Sequence, residues 1–172
     1  QEAFDLGAVV MPELRALADA TGESASFYVR DGQRRICLFR ANAVQHRITH
    51  IVPVGTTYDL ATGAAGRVLT AFGADQPEEL RQVRDDLIAV SLVQRTLSET
   101  GAVAAPVFGA GDRLVGSIGL TGPINRFGEV ALRSFARELL VSARRLTEAL
   151  GGDAGRYDAR LTGEGSVPPQ VS

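Results

Sequence analysis

The sequence predicts an α+β protein, a single antiparallel sheet with helical cover, and three observations carry that expectation. Two hairpin patterns, "SFYVRDGQRRICLF" and "GAVAAPVFGAGDRLVGSIGL", set β-branched and aromatic runs on either side of short turns containing Asp and Gly. A long amphipathic run, "FGEVALRSFARELLVSARRLTEAL", supplies a helix with one apolar stripe. Finally, the helical segments gather between and beside the hairpins instead of alternating with strands, which argues against a parallel βαβ nucleotide fold.

The first helix is read in "DLGAVVMPELRALADATGES", where Leu6, Val10, Leu14 and Leu17 recur at spacings of three and four. Pro12 either opens a shorter helix or kinks a longer one, and Gly22 ends it. "SASFYVR" and "RRICLFRA" form the first hairpin around "DGQ", and "HRITHIVPVG" is expected as a third strand closed by Pro53 and Gly55. A helix follows "ATGAAG" and runs to about Phe72. "QPEELRQVRDDL" gives another, with Pro77 early and Glu78 and Glu79 in its first turn. "IAVSLVQRTL" fits either a strand or an irregular loop. After the second hairpin, Leu132, Phe135, Leu139, Ala143, Leu146 and Leu150 mark the buried side of the last helix. From 152 to 172 the composition turns to Gly, Asp, Ser and Pro, and a disordered C-terminal tail is expected there.

Bulk properties exclude several classes. At 172 residues, 45% apolar and 22% charged, the chain has the size and composition of one domain with a real core. A formal net charge of −2 leaves no basic surplus for autonomous nucleic-acid binding. A single cysteine, Cys37, permits no internal disulfide and no cysteine zinc cage, and its apolar neighbours Ile36 and Leu38 favour a buried inert thiol. There is no run of eighteen apolar residues and no secretion signal at the start, so a cytoplasmic protein without a membrane segment is expected. The first residue is Gln, which makes a piece of a longer protein the expectation.

The stretch most open to chemistry is "LATGAAGRVLTAF", Leu60 to Phe72, where Gly63, Ala64, Ala65 and Gly66 run into an apolar helix. It is not a P-loop, because Gly63 and Gly66 are three apart and Arg67 is followed by Val68; nor is it GxGxxG. Two readings stand. Either the small residues let the helix pack tightly on the sheet, or they let a small anion reach the unpaired N–H groups of a helix N-terminus. In "SIGLTGP", Ser117, Gly119 and Thr121 share one strand face, either exposed or forming the floor of a pocket. His46 and His50 lack a third ligand, so no metal is expected. No G-x-S-x-G occurs and nothing ties a His to a nucleophile, leaving catalysis without positive support.

"VGTTYDLATGAAGRVLTAF", followed by "GAVAAPVFGAGDRLVGSIGLTGP" and the closing amphipathic helix, resembles the effector-binding domain of IclR-type bacterial transcriptional regulators. "MPELRALADATGESASFYVRDG" resembles the start of that domain, and the likeness covers about residues 5 to 151. The resemblance implies a GAF-like curved antiparallel sheet flanked by helices, with a small-molecule pocket, over residues 1–151. It implies a non-catalytic ligand sensor with no cofactor. It further implies an effector that is a small metabolite, often a carboxylate or aromatic acid, and action as a homodimer or a dimer of dimers. A winged helix-turn-helix domain is expected to precede this one, lie outside this chain and contact DNA as repressor or activator.

By that resemblance Ala64 and Ala65 would meet the ligand through backbone N–H groups beside Gly63. Gly119 and Thr121 would supply the strand positions where relatives carry Ser. A family loop motif of Ser, two residues and Glu appears here as Ser91 to Gln94, with the acid replaced by an amide. Ala102 stands near a polar position of relatives, and Asp59 replaces a common Pro. Ile51, Val52, Tyr58 and Leu60 are expected as walls against an apolar ligand body. The alternatives are a free-standing GAF-like nucleotide sensor or small enzyme, and a dimerisation domain with a vestigial pocket. With ten aromatic residues in all, base-stacking partners for a nucleotide are scarce.

Overall fold

The computed structural model describes residues 5–43, 53–95 and 98–163. Asp5 caps the first helix, α1 (Leu6–Thr21): its carboxylate accepts from the Ala8 amide, an N-cap worth about 1 kcal/mol. Gly22 ends α1 in the left-handed conformation and donates its N–H to Ala18. Pro12 sits inside α1, which continues past it on the strength of Val10, Leu14 and Leu17, all buried.

The first hairpin joins β1 (Ser24–Asp31) to β2 (Arg34–Ala41), with Gly32 in the turn at positive φ. The strand expected over 46–55 falls largely outside the described residues; within them, β3 (Thr57–Asp59) pairs with β2. Helix α2 (Gly63–Ala71) follows, then a 3₁₀ turn leading into α3 (Arg81–Asp86). The ambiguous "IAVSLVQRTL" contains a strand, β4 (Ala89–Arg95), paired antiparallel with β5 (Ser98–Phe108). Then come β6 (Leu114–Pro123) and the long helix α4 (Glu129–Ala149).

The six strands form one antiparallel, curled sheet in the order β3-β2-β1-β6-β5-β4. Alternation along the strands gives the two faces different characters. Ala25 and Phe27 of β1, Ile118 and Leu120 of β6, and Val103, Ala105 and Val107 of β5 join the main core with α1 and α4. On α4 that core takes Leu132, Phe135, Leu139, Ala143 and Leu146, the stripe read from the sequence. The opposite face presents smaller and more polar residues. It is covered by α2 and α3, through Ala64, Val68, Ala71 and Val83 against Ala89 and Ala104.

Residues just past α4 correct the expectation of a disordered tail. A 3₁₀ turn (Ala154–Tyr157) and α5 (Asp158–Thr162) fold back onto the domain, and Tyr157 is fully buried. The cause lies in β5. Its pairing with β4 stops at Ala104, so Pro106 and Phe108 turn polar backbone atoms to an uncovered edge. The Tyr157 hydroxyl donates to the Pro106 carbonyl, and the Phe108 amide donates to Thr147 Oγ1. Thr147 and Tyr157 also bond each other at 2.9 Å, closing the network. Among the described residues no helix is long and apolar enough to cross a membrane.

Candidate functional site

The polar face of the sheet does not pack fully against α2. Between them lies a cavity of about 350 Å³, near the lower end of the usual range for small-molecule sites. Every strand contributes: Ser26 and Tyr28 from β1, Arg35 from β2, Tyr58 from β3, Ser91 and Val93 from β4. Strands β5 and β6 add Thr100, Ala102, Ala104, Gly119 and Thr121, and α2 adds Gly63, Ala64 and Ala65. Small side chains on β5 and β6 leave the space open, and hydroxyls ring it.

The local chain explains the "GAAG" run. Asp59 Oδ1 accepts from the Ala61 amide and the Thr62 hydroxyl bonds the Asp59 carbonyl, forming a tight turn before the helix. Gly63 then takes φ +76°, a conformation costly for any residue with a β-carbon. Gly66 lies directly against the Leu60 carbonyl, where a methyl group would collide with the oxygen. The small residues of the run therefore have different surroundings. Gly66 is there for packing, while Gly63, Ala64 and Ala65 face the cavity. No side chain caps α2 at Thr62 and no acid occupies its first turn, so its partial positive charge is not countered from within the helix.

Of the residues expected at the site, Gly63, Ala64, Ala65, Gly119, Thr121, Ser91, Ala102 and Tyr58 are brought together around this one cavity. Leu60 is not part of its lining. It is buried behind Ala65, against Tyr28, Cys37 and Leu69. Gln94 is placed by its backbone alone, opposite Glu99 of β5. Ile51 and Val52 lie outside the described residues, as do His46 and His50. Ser117 shares the face of Gly119 and Thr121 but is fully buried, its Oγ without a hydrogen-bond partner.

The residues missed from sequence are the charged and aromatic ones on the first hairpin. Arg35 stands over both the Tyr28 ring, at 4.5 Å, and the Tyr58 ring, at 4.7 Å; the two rings meet edge-on at 6.4 Å. Behind Ser26, the Arg40 guanidinium donates to its Oγ at 3.0 Å and to Asn42 Oδ1 at 2.7 Å. Burial lowers the Arg40 pKa from its usual value. Burial likewise raises the Tyr28 phenol, against the opposing pull of Arg35, so the ring stays neutral in ordinary buffers. Cys37 is fully buried, and burial raises its thiol too. Period two places Arg35 on the strand face of Cys37, but only the pairing of Cys37 with Tyr28 gives that face its meaning, so no local signal could have found Arg35.

Residues 2–100 match the profile of a family described as bacterial transcriptional regulator IclR C-terminal. Among solved structures, the chain is similar to a domain described as an IclR-family transcriptional regulator (TM-score 0.75, 23% identity, covering 84% of this chain and 96% of that one). It is similar to the Thermotoga maritima IclR (TM-score 0.77, 19% identity, 86% and 69%). It also resembles a protein described as a transcriptional regulator from Rhodococcus sp. RHA1 (TM-score 0.76, 26% identity, 86% and 68%). No curated protein matches the sequence.

Proposed function

This chain belongs to the bacterial transcriptional regulator IclR C-terminal family, and from that premise we propose that residues 1–151 are its small-molecule sensor. The effector is a small metabolite bearing a carboxylate, and the domain is a binding module without catalysis of its own. One observation carries this reading: a cavity between α2 and the sheet, lined among the described residues by one cation, six hydroxyl side chains and no acid. The anionic end of the ligand meets the amides of Ala64 and Ala65 at the uncapped start of α2. Its apolar body lies over Val93, Ala102 and Ala104, with Ser91 and Thr121 bonding polar substituents.

Signalling then works by population shift. A ligand that prefers one arrangement of a homodimer or dimer of dimers changes the spacing of winged helix-turn-helix domains carried outside residues 1–172, and with it their grip on DNA.

The test is a thermal-melt screen with aliphatic acids, aromatic acids, cyclic nucleotides and divalent metals. A ligand at a hundred times its dissociation constant stabilises by about 2.7 kcal/mol. The expected outcome is a rise in Tm with carboxylates that disappears in Ala65→Leu, whose longer side chain fills the cavity. Stabilisation by carboxylates that persists in Ala65→Leu would place the ligand elsewhere. A response confined to nucleotides or metals would replace the reading.

A further inference from the structure

We infer that Arg35 is the anion receptor of the cavity and selects a ligand with a single carboxylate, taken by the edge of its guanidinium beside the start of α2. This deepens the sensor reading and rests on it. Four observations converge. First, Arg35 is the one cation lining the cavity among the described residues, and no acid lines it. Its Nε is buried and has no hydrogen-bond partner, an unmet donor on a charged group, which is costly unless something supplies an acceptor.

Second, the guanidinium is held in place without being neutralised. Tyr28 and Tyr58 offer it ring faces at 4.5 and 4.7 Å, contacts that fix a cation's position while leaving its net charge intact. Third, it stands beside a helix N-terminus, where a positive group is disfavoured. A β-carbon at Gly63 would lie 3.1 Å from Arg35 Nη2 and one at Gly66 3.7 Å from Nε, so the absence of side chains lets the guanidinium lie against the α2 backbone. Two positive elements thus converge on one small space, and a bound anion relieves both.

Fourth, the shape of the donor set names the anion. A guanidinium edge matches the two oxygens of a carboxylate, a pairing that an ammonium cannot reproduce. One cation in a small, largely apolar cavity balances one negative charge. A dicarboxylate or a phosphate ester would bring a second charge for which the lining holds no partner.

The experiment uses residues 1–172 labelled with ¹⁵N. The Arg35 Nε–H resonance is assigned by its loss in Arg35→Lys. Butyrate and benzoate are titrated to saturation or to their solubility limit, with butyramide and benzamide as neutral counterparts. The expected result is a saturable shift of the Arg35 Nε resonance and of the Ala64 and Ala65 amides with a carboxylate, and none with its amide. Arg35→Met then weakens the carboxylate by roughly ten- to a hundredfold, with Arg35→Lys between the two, as hydrogen bonds to a charged group require. The ¹⁵N spectrum of each variant reports its fold, and the wild-type titration needs no variant at all.

Three results would overturn the inference. Carboxylates that move the Ala64 and Ala65 amides with unchanged affinity in Arg35→Met remove Arg35 as receptor and leave the sensor reading standing. Neutral amides that bind as well as the acids remove the carboxylate class. If neither probe moves either set of resonances, the placement at the α2 N-terminus falls together with the role of Arg35.

Discussion

The hydroxyl of Tyr157 donates a 2.6 Å hydrogen bond to the carbonyl of Pro106, fastening the segment after α4 to the one stretch of β5 that β4 leaves uncovered. Proline at 106 is permitted there because no neighbouring strand asks for its missing N–H. Tyr157→Phe therefore leaves a buried carbonyl and Thr147 with fewer partners, and an unfolding titration should show a loss of about 1–3 kcal/mol.

The same residue makes stability fall in alkali. Burial pushes the Tyr157 phenol up to about 12, from an ordinary value near 10. The folded chain then holds this proton while the unfolded chain releases it. That contribution is complete below pH ~10 and is lost as pH climbs towards ~12, roughly 2–3 kcal/mol in total. Denaturant midpoints measured across that window should drop in the wild type and drop less in Tyr157→Phe. Equal slopes would mean the phenol is not protected.

Gly66→Ala is expected to destabilise by about 1–3 kcal/mol, an overpacking cost, because the added methyl meets the rigid Leu60 carbonyl and not a movable side chain. A melting curve for Gly66→Ala that matches the wild type would show that the turn before α2 can move aside.

Glu23 is 2% exposed and is held by Arg126 through two bonds, Nε to Oε2 at 2.8 Å and Nη2 to Oε1 at 2.6 Å. Arg126→Met strands a buried carboxylate and should cost about 3–5 kcal/mol. Adding Glu23→Gln should recover part of that loss, since the remaining group no longer carries a charge. No recovery in the double variant would show that Arg126 acts through its packing alone.

Tyr58→Phe preserves the ring beneath Arg35 and should leave stability within about 0.5 kcal/mol, whereas Tyr58→Leu loses a contact of about 0.5–1 kcal/mol. Chemical denaturation of the two side by side separates the ring's face from its hydroxyl.

Where local pattern and tertiary demand agreed, the sequence was readable. The period of α4, the Asp–Gly turn of the first hairpin and the left-handed Gly22 each need only a few neighbouring residues to specify them. The same local pattern put Gly119 and Thr121 on one strand face and Gly63 at a helix start, but only the family resemblance pointed to a cavity between them. Arg35 could not. Its meaning depends on Tyr58, which reaches it across a strand pairing, and on a helix start that lies twenty-eight positions later at Gly63. Tyr157 was hidden differently: a Gly- and Asp-rich segment offers no periodicity, and the demand for it originates in a strand edge about fifty residues earlier.

Strands β3 and β4 are the two margins of the sheet, yet Tyr58 and Ser91 border the same hollow. A flat six-stranded sheet would hold such residues about 24 Å apart, at the usual spacing between neighbouring strands. Their meeting around a space of 350 Å³ means that the sheet is bent like a bow, with the hollow on its concave side. On the sensor reading proposed above, a molecule seated there would span the chord, and its length would bear on the curvature of the sheet.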